Sequence, residues 1–430
     1  MFAQPLYLIG EVFKLFTLRC YIQAKTTHYK QVLTMIIESN IDTSTKALNQ
    51  PSVLSNEIHG HHFALETLQK AFDHDRLHHA YLFHGPEGIG KIRVATVLAR
   101  LLLCTSTLIE LIDGQQNQHA CGQCKSCKRI NPLINRHEGA YHPDLHYITR
   151  SRDSNGKLAK EIKIAPIREL QSSLSLGAFE GGRVVVIIED VDRLGLSAAN
   201  ALLKTLEEPL QNVHFLLTTS SLNAVLPTIK SRAQSLRFAP LNQQIMQDLL
   251  IAFERKPFVT NQDEPNPFNP LDDSQRFSLA QLSGGSIGRA LSLWSQGGML
   301  RVENLIQSSD LNGGPQDILN ALAFAKSLEK TDDDELKQWI HILRCWYRDA
   351  LVLMHNPQAE DLFFHRLKEY SYKRAQILGL NRLLWRLNAL DECENHIFRR
   401  IGSNRKLIIE TLCLYLAGLD ALTQKALKLS

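Results

Sequence analysis

Three groups of residues in this sequence have types and spacings that chemistry can use. The first is Gly85–Ile92, GPEGIGKI, which agrees with the phosphate-binding pattern G-x-x-x-x-G-K-[ST] everywhere but at its last position. Gly85, Gly88 and Gly90 let the backbone curl until its N–H groups converge on phosphate oxygens, and Lys91 brings a cation to the outer phosphates. The last position normally lends a hydroxyl to Mg²⁺, and Ile92 has no oxygen to lend. The second group closes the apolar run Val184–Asp192, VVVIIEDVD. At such a strand end an Asp orients the metal and the Glu after it positions the attacking water. Here the order is inverted, Glu189 then Asp190. An Asp in the water-positioning place is one methylene short, and a displacement of about 1 Å can cost roughly 100-fold in rate.

The third group is Cys121-x-x-Cys124-x-x-Cys127, a thiolate cluster that suits a tetrahedral structural zinc once a fourth ligand is found. Cys104 is the best candidate, with His119, His137 and His142 as alternatives. No fourth cysteine follows at the spacing of an iron–sulfur run, so that reading is weaker. Four protein ligands leave no open position, which makes the metal structural rather than catalytic. The other cysteines, Cys20, Cys345, Cys393 and Cys413, are scattered, and no secretory signal is evident. The x2 spacing therefore points to metal binding in a reducing compartment, the cytoplasm, and not to disulfides. Arg232, in Ser231-Arg232-Ala233, reads on chemistry alone as a surface charge.

These groups need elements to hold them. An apolar run at Ala80–Phe83 enters the glycine turn, and a periodic segment over Val94–Leu103 leaves it, the strand–turn–helix order of a phosphate-binding α/β unit. A helix is expected near Ile167–Leu174. Val184–Ile188 has the continuous β-branched character of a strand buried on both faces of a parallel sheet. A helix over Ser197–Glu207 and a strand over His214–Thr218 continue the alternation, which describes a doubly wound α/β domain over 56–240 with a metal-binding insertion at 104–127. Residues 241–300 read as a small helical domain broken by a Pro-, Asn- and Asp-rich loop at 255–275. Beyond about residue 300 the patterns at 316–328, 334–355, 361–390 and 404–425 are amphipathic and imply an all-helical domain over 301–430.

Bulk properties agree with several soluble domains and exclude little else. The chain has 430 residues, 44% hydrophobic and 21% charged, which calls for two to four domains. A formal net charge of +4 permits nucleic-acid contact without arguing for it. Residues 5–19 are apolar but interrupted by Glu11, Lys14 and Arg19, too short and too charged to span a membrane. Residues 1–55 therefore read as an appendage, and Met35 is an alternative start.

The combination resembles a known family. Gly85–Lys91, the cysteine cluster, Glu189-Asp190, AANALLKTLEEP at Ala198–Pro209, LPTIKSRA at Leu226–Ala233 and NRKLIIETL at 404–412 are together similar to the AAA+ subunits of bacterial DNA polymerase III clamp loaders. The resemblance runs from about Gly60 to the C-terminal end. It implies a P-loop-type parallel sheet with a zinc module, a helical lid and a helical collar. It implies partners as well: gamma/tau and delta subunits in a hetero-pentamer, with the sliding clamp and primed DNA reached through that complex, and no membrane. Such a subunit belongs to a nucleotidyltransferase holoenzyme without holding a polymerase active site. Two branches share the pattern, the gamma/tau motor and the delta-prime branch, and the departures favour the second: Ile92, the Glu189-Asp190 inversion, and Gly285-Ser286-Ile287-Gly288, where the motor's G-S-x-R arginine arrives one position late as Arg289. By the same resemblance Arg232 matches the S-R-C arginine that acts in trans on a neighbour's ATP, with Ala233 replacing the Cys. Cys104, Cys121, Cys124 and Cys127 match the four zinc ligands, Cys104 after a gap longer than expected. Whether this chain itself binds ATP stays open, and an active motor ATPase and a zinc-dependent nucleic-acid-binding protein are the alternatives.

Overall fold

The computed structural model describes residues 58–417 apart from 113–114, 135–141, 153–157, 181, 256–269, 310–314, 330, 332 and 399–403. The 1–55 appendage, His137, most of the 255–275 loop and residues 418–430 of the last helical domain lie outside the described residues.

The α/β part begins with α1 (His62–Asp73) and β1 (Ala80–His84), after which the glycine turn leads into α2 (Lys91–Leu102). A hairpin of β2 (Leu108–Ile112) and β3 (Gln115–His119) and then α3 (Lys125–Ile134) form the insertion. The chain returns through β4 (Leu145–Ile148), α4 (Ile164–Ser175), β5 (Val184–Ile188), α5 (Leu196–Glu207), β6 (Val213–Thr219), the single turn α6 (Pro227–Lys230) and β7 (Gln234–Arg237). The five main strands lie parallel in the order β4-β5-β6-β1-β7. β1 thus sits beside β6 rather than its sequence neighbours, and the strand order changes direction where the glycine turn emerges.

The burial of β5 explains its unbroken apolar character. Val185 and Ile187 pack on the side of α1 and α2 with Tyr81 and Phe83, while Val184, Val186 and Ile188 pack on the side of α4 and α5 with Leu82 and Leu217. Every residue of the strand is buried, so alternation has nothing polar to alternate with. The edge strands differ. β7, QSLR, buries only Leu236, and β4, LHYI, buries its two ends, so neither carries an apolar run. Both were absent from the sequence-based expectation, as was the hairpin, which fills the long gap after Cys104. Side chains of α1 hold that hairpin: Gln118 N–H donates to Asp73 Oδ1 (3.0 Å) and Gln69 Nε2 donates to the Gln118 carbonyl (2.9 Å).

The remaining elements are α7 (Gln243–Arg255), α8 (Asp273–Leu282), α9 (Ile287–Ser295), α10 (Gly298–Ser309), α11 (Pro315–Glu329), α12 (Asp333–His355), α13 (Lys368–Phe398) and α14 (Arg405–Leu416). Two expectations need correction. The loop expected over 255–275 ends earlier, because Asp272 and Gln275 form a reciprocal capping box that starts α8 at Asp273. The boundary expected at residue 300 falls inside α10, and one apolar cluster runs from Leu241 through Trp294 and Trp346 to Ala417. The 361–390 pattern begins as a helix only at Lys368, after a single 3₁₀ turn, and its interior is kinked at Gly379 (φ 72°), a conformation open to glycine without strain. No described helix is long and apolar enough to cross a membrane.

Candidate functional site

The glycine turn leaves β1 at its C-terminal end, the side on which parallel α/β sheets bind ligands. Gly88 and Gly90 take φ of 74° and 103°, values that need glycine. Lys91 is almost fully buried, and its Nζ donates to the carbonyls of Gly85 (2.7 Å) and Pro86 (2.6 Å), so the ammonium closes the loop on itself. Burial lowers its pKa, while Asp190, Glu87, Asp192 and Glu189 pull it back up. Ile92 points away from any polar role and packs against the apolar cluster beneath α2.

The acidic groups at the end of β5 are each occupied by their own chain. The strand register sets Ile148 beside Ile188, so the residues that follow β4 lie alongside Glu189 and Asp190. Tyr147 Oη donates to Glu189 Oε2, and Thr149 Oγ1 donates to the same oxygen (3.3 Å). Arg150 Nε (3.1 Å) and Nη2 (2.9 Å) converge on Asp190 Oδ2. Asp190 has a left-handed backbone (φ 56°), and burial raises its carboxyl pKa against the opposing pull of Arg150. A third acid, Asp192, is buried and accepts a 2.6 Å hydrogen bond from Thr219 Oγ1 at the end of β6. Tyr147, Arg150, Asp192 and Thr219 were not singled out from the sequence. Their roles come from neighbouring strand ends, and only the sheet order could have brought them forward.

The helical region closes over the same loop. Ser286 Oγ donates to the Glu87 carbonyl (2.8 Å) and also caps α9 by accepting from Arg289 N–H (3.2 Å). Gly288 N–H donates to the Gly88 carbonyl (2.8 Å). A Cβ at Gly288 would lie 2.8 Å from Gly88 Cα, so the backbones touch where the resemblance would put an arginine. The exposed Arg289 instead lies close enough to His341 to lower that imidazole's pKa, an effect added to the larger one of burial.

The cysteine cluster assembles as its spacing suggested. The Sγ atoms of Cys104, Cys121, Cys124 and Cys127 all lie within 4.8 Å of one another. Cys104 Sγ is 3.7 Å from Cys121 Sγ and 3.9 Å from Cys124 Sγ. Four sulfurs at about 2.3 Å around a tetrahedral zinc stand about 3.8 Å apart, so the set fits a metal of that size. Backbone N–H groups of Cys121, Cys124 and Cys127 donate to the sulfurs of Cys104, Cys121 and Cys124 at 3.3 to 3.4 Å, an arrangement that favours thiolates. For Cys124, burial opposes ionisation, but the Cys127 amide and Thr105 outweigh it and bring the thiol down to about 6. Of the alternative fourth ligands, His142 is engaged with Ser126 and Glu180, and His119 with the Ala120 carbonyl. Buried Arg100, donating to Asn131 (3.0 Å), ties the helix after the glycine loop to the helix of the cluster.

Arg232 lies elsewhere. It precedes β7, whose end pairs with the end of β1, so it sits at the edge where the parallel strands begin while the glycine loop sits where they finish. A strand of four to five residues puts about 15 Å between the two edges. Its Nη2 meets Glu207 Oε1 at 2.8 Å, and its Nη1 donates to the Thr228 carbonyl (3.0 Å) and to Ser231 Oγ (3.1 Å).

Sheet order, glycine loop and paired acids define the class: a P-loop-type α/β protein of AAA+ character followed by a helical region. Comparison with known proteins narrows it. The family model described as DNA polymerase III, delta subunit, matches residues 60–242, and its C-terminal counterpart matches residues 302–417, so that together they take in well over half of the chain. The chain belongs to this family of DNA polymerase III delta-type subunits. DNA polymerase III subunit delta' of Bacillus subtilis is 35% identical over 195 residues, 45% of this chain and 52% of that protein. The Escherichia coli subunit delta' is 26% identical over 349 residues, 81% of this chain and 92% of its own length. The tau/gamma subunit of Haemophilus influenzae is 31% identical over 56% of this chain and 30% of its own length. The chain thus spans about half the length of the first curated relatives it matches, and nearly all of the Escherichia coli one. A gamma-subunit-related protein of Thermotoga maritima aligns over 82% of this chain and 98% of its own at 16% identity and a TM-score of 0.35; the fold assignment rests on the strand order instead.

Proposed function

We propose that this chain is a delta-prime-type subunit of a cytoplasmic clamp loader, a poor ATPase that lends Arg232 to the ATP of a neighbouring motor subunit. The gamma/tau and delta subunits are its partners in a hetero-pentamer, and through them it helps to place the sliding clamp on primed DNA. The observation that carries the reading is the contrast in placement. Arg232 is about 15 Å of strand away from its own glycine loop, half-exposed on the opposite edge, so it has no route to a nucleotide in its own chain. The loop meanwhile has Ile92 where magnesium needs a hydroxyl, and Asp190 is held by Arg150. A trans arginine stabilises charge that develops on the transferring phosphoryl group. Cys104, Cys121, Cys124 and Cys127 hold a zinc ion that braces the insertion, with no open position for chemistry.

In a reconstituted complex, Arg232→Ala should cut hydrolysis at the adjoining site by roughly 10³-fold or more, measured in single turnover with DNA present. Unchanged hydrolysis and clamp loading would refute the role given to Arg232. A second reading, an active motor, is favoured by Gly85, Gly88, Gly90 and Lys91 keeping the loop geometry and by the likeness to tau/gamma. Steady turnover by the purified chain alone, abolished by Lys91→Ala, would replace the first reading with the second.

A further inference from the structure

We infer that Glu207 is a positioning residue for Arg232, bracing its guanidinium in the orientation from which it reaches a neighbour's phosphate. The inference rests on the trans role proposed above and adds a residue to it. Glu207 is the last residue of α5 and Arg232 follows the single turn α6, so two elements of one edge bring them together across 25 positions of sequence. The guanidinium is held from three directions, by the Glu207 carboxylate, the Thr228 carbonyl and the Ser231 hydroxyl.

A guanidinium carries five N–H donors in a rigid plane. Those three contacts engage Nη1 twice and Nη2 once, which, among the described residues, leaves the Nε–H and the second Nη2–H for an outside acceptor. Arg232 keeps a third of its side-chain surface exposed, enough to present those donors. An unbraced arginine must give up rotamer freedom when it meets an anion, whereas this one has already given it up. The brace therefore acts through the orientation of the cation, since the carboxylate's own negative charge would work against an incoming phosphate.

The test is a double-mutant cycle in the reconstituted complex, read as kcat and KM for ATP in DNA-stimulated hydrolysis, with complex assembly checked by size exclusion. Glu207→Gln should lower kcat about threefold to fivefold, the scale of an exposed ion pair, with KM nearly unchanged. In the Arg232→Ala background the same substitution should add nothing, because Glu207 acts through Arg232. Glu207→Asp keeps the charge but is a methylene short, and should fall between Gln and wild type. An equal loss in both backgrounds would make Glu207 merely structural and overturn the inference, as would a rate unchanged or raised by Glu207→Gln. If Arg232→Ala itself leaves hydrolysis intact, the trans role fails first and the brace with it.

Discussion

The two edges of the central sheet are built from the same kinds of residue to opposite ends. At the edge where the strands finish, four charged groups are satisfied within the chain: Lys91 by loop carbonyls, Glu189 by Tyr147 and Thr149, Asp190 by Arg150, and Asp192 by Thr219. The helical region then covers the loop through Ser286 and Gly288. At the edge where the strands begin, Arg232 is braced but keeps a third of its surface exposed. Buried polar groups are costly unless paired, so a site that pairs its own groups has less left for a ligand. On the function proposed above, the glycine loop keeps the form of a nucleotide site while Lys91, Glu189, Asp190 and Asp192 serve the fold. The Arg232 edge keeps a cation that is partly exposed.

The largest expected effect sets one edge against the other. In the reconstituted complex Arg232→Ala should nearly abolish hydrolysis at the adjoining site, by roughly 10³-fold, while Lys91→Ala should leave the turnover of the complex close to that of wild type. A reversal of that order would mean that the loop edge is the working one. Lys91→Ala would still be felt in stability, because it removes a buried cation and leaves the Gly85 and Pro86 carbonyls without a donor, at a cost of about 1–3 kcal/mol.

Next in size is the metal. Cys104→Ser should lower zinc content well below one per chain and destabilise the insertion by several kcal/mol, since structural zinc contributes folding free energy directly. Metal analysis together with thermal unfolding, with and without chelator, checks this. Full zinc occupancy in the variant would show that a residue outside the sulfur cluster completes the site. Because Arg100 and Asn131 link the cluster helix to the helix of the glycine loop, unfolding of the insertion should be felt in the α/β core and not in Arg232.

A smaller effect is expected where the helical region meets the loop. Gly288→Arg puts an arginine where the resemblance would place one, but its Cβ would fall 2.8 Å from Gly88 Cα, backbone against backbone. The variant should lose the Gly288–Gly88 hydrogen bond and about 1–3 kcal/mol of stability, with no gain in turnover by the chain alone. A variant that hydrolyses ATP would show that the loop edge lacks only that residue.

The sequence made the buried centre legible and the edges less so. Val184–Ile188 could be read to the residue because a strand buried on both faces has no polar positions, and α5 came within one residue by its periodicity. β4 and β7 escaped because edge strands bury few residues: QSLR carries neither alternation nor an apolar run. The candidate site divides the same way. Gly85, Lys91, Glu189, Asp190 and the three clustered cysteines, Cys121, Cys124 and Cys127, announce themselves by local spacing. Arg150 and Tyr147 do not, since their relation to the acids depends on β4 lying beside β5, and Glu207 joins Arg232 only through the packing of α5 near α6. The long gap after Cys104 made that ligand the least secure, and the gap proves to be a hairpin that brings Cys104 and Cys121 back together.

The finest expected difference concerns Arg150, which bears on whether the loop edge is structural in the sense drawn here. Burial raises the Asp190 carboxyl above its ordinary value, so the folded protein favours the protonated acid. The sign follows: this carboxyl adds stability at low pH, and that contribution is lost as pH rises from the ordinary carboxylate range through the raised folded value. Arg150 offsets the loss by pairing with the charged form. Arg150→Ala should therefore cost little in acid, where Asp190 is neutral in both proteins, and most at neutral pH. Both side chains keep a fifth to a quarter of their surface, which screens the pair and holds the neutral-pH cost to about 1 kcal/mol. Urea unfolding of both proteins at several pH values measures the difference. A gap that is constant with pH would mean that Arg150 contributes packing alone and that Asp190 is not held by its charge.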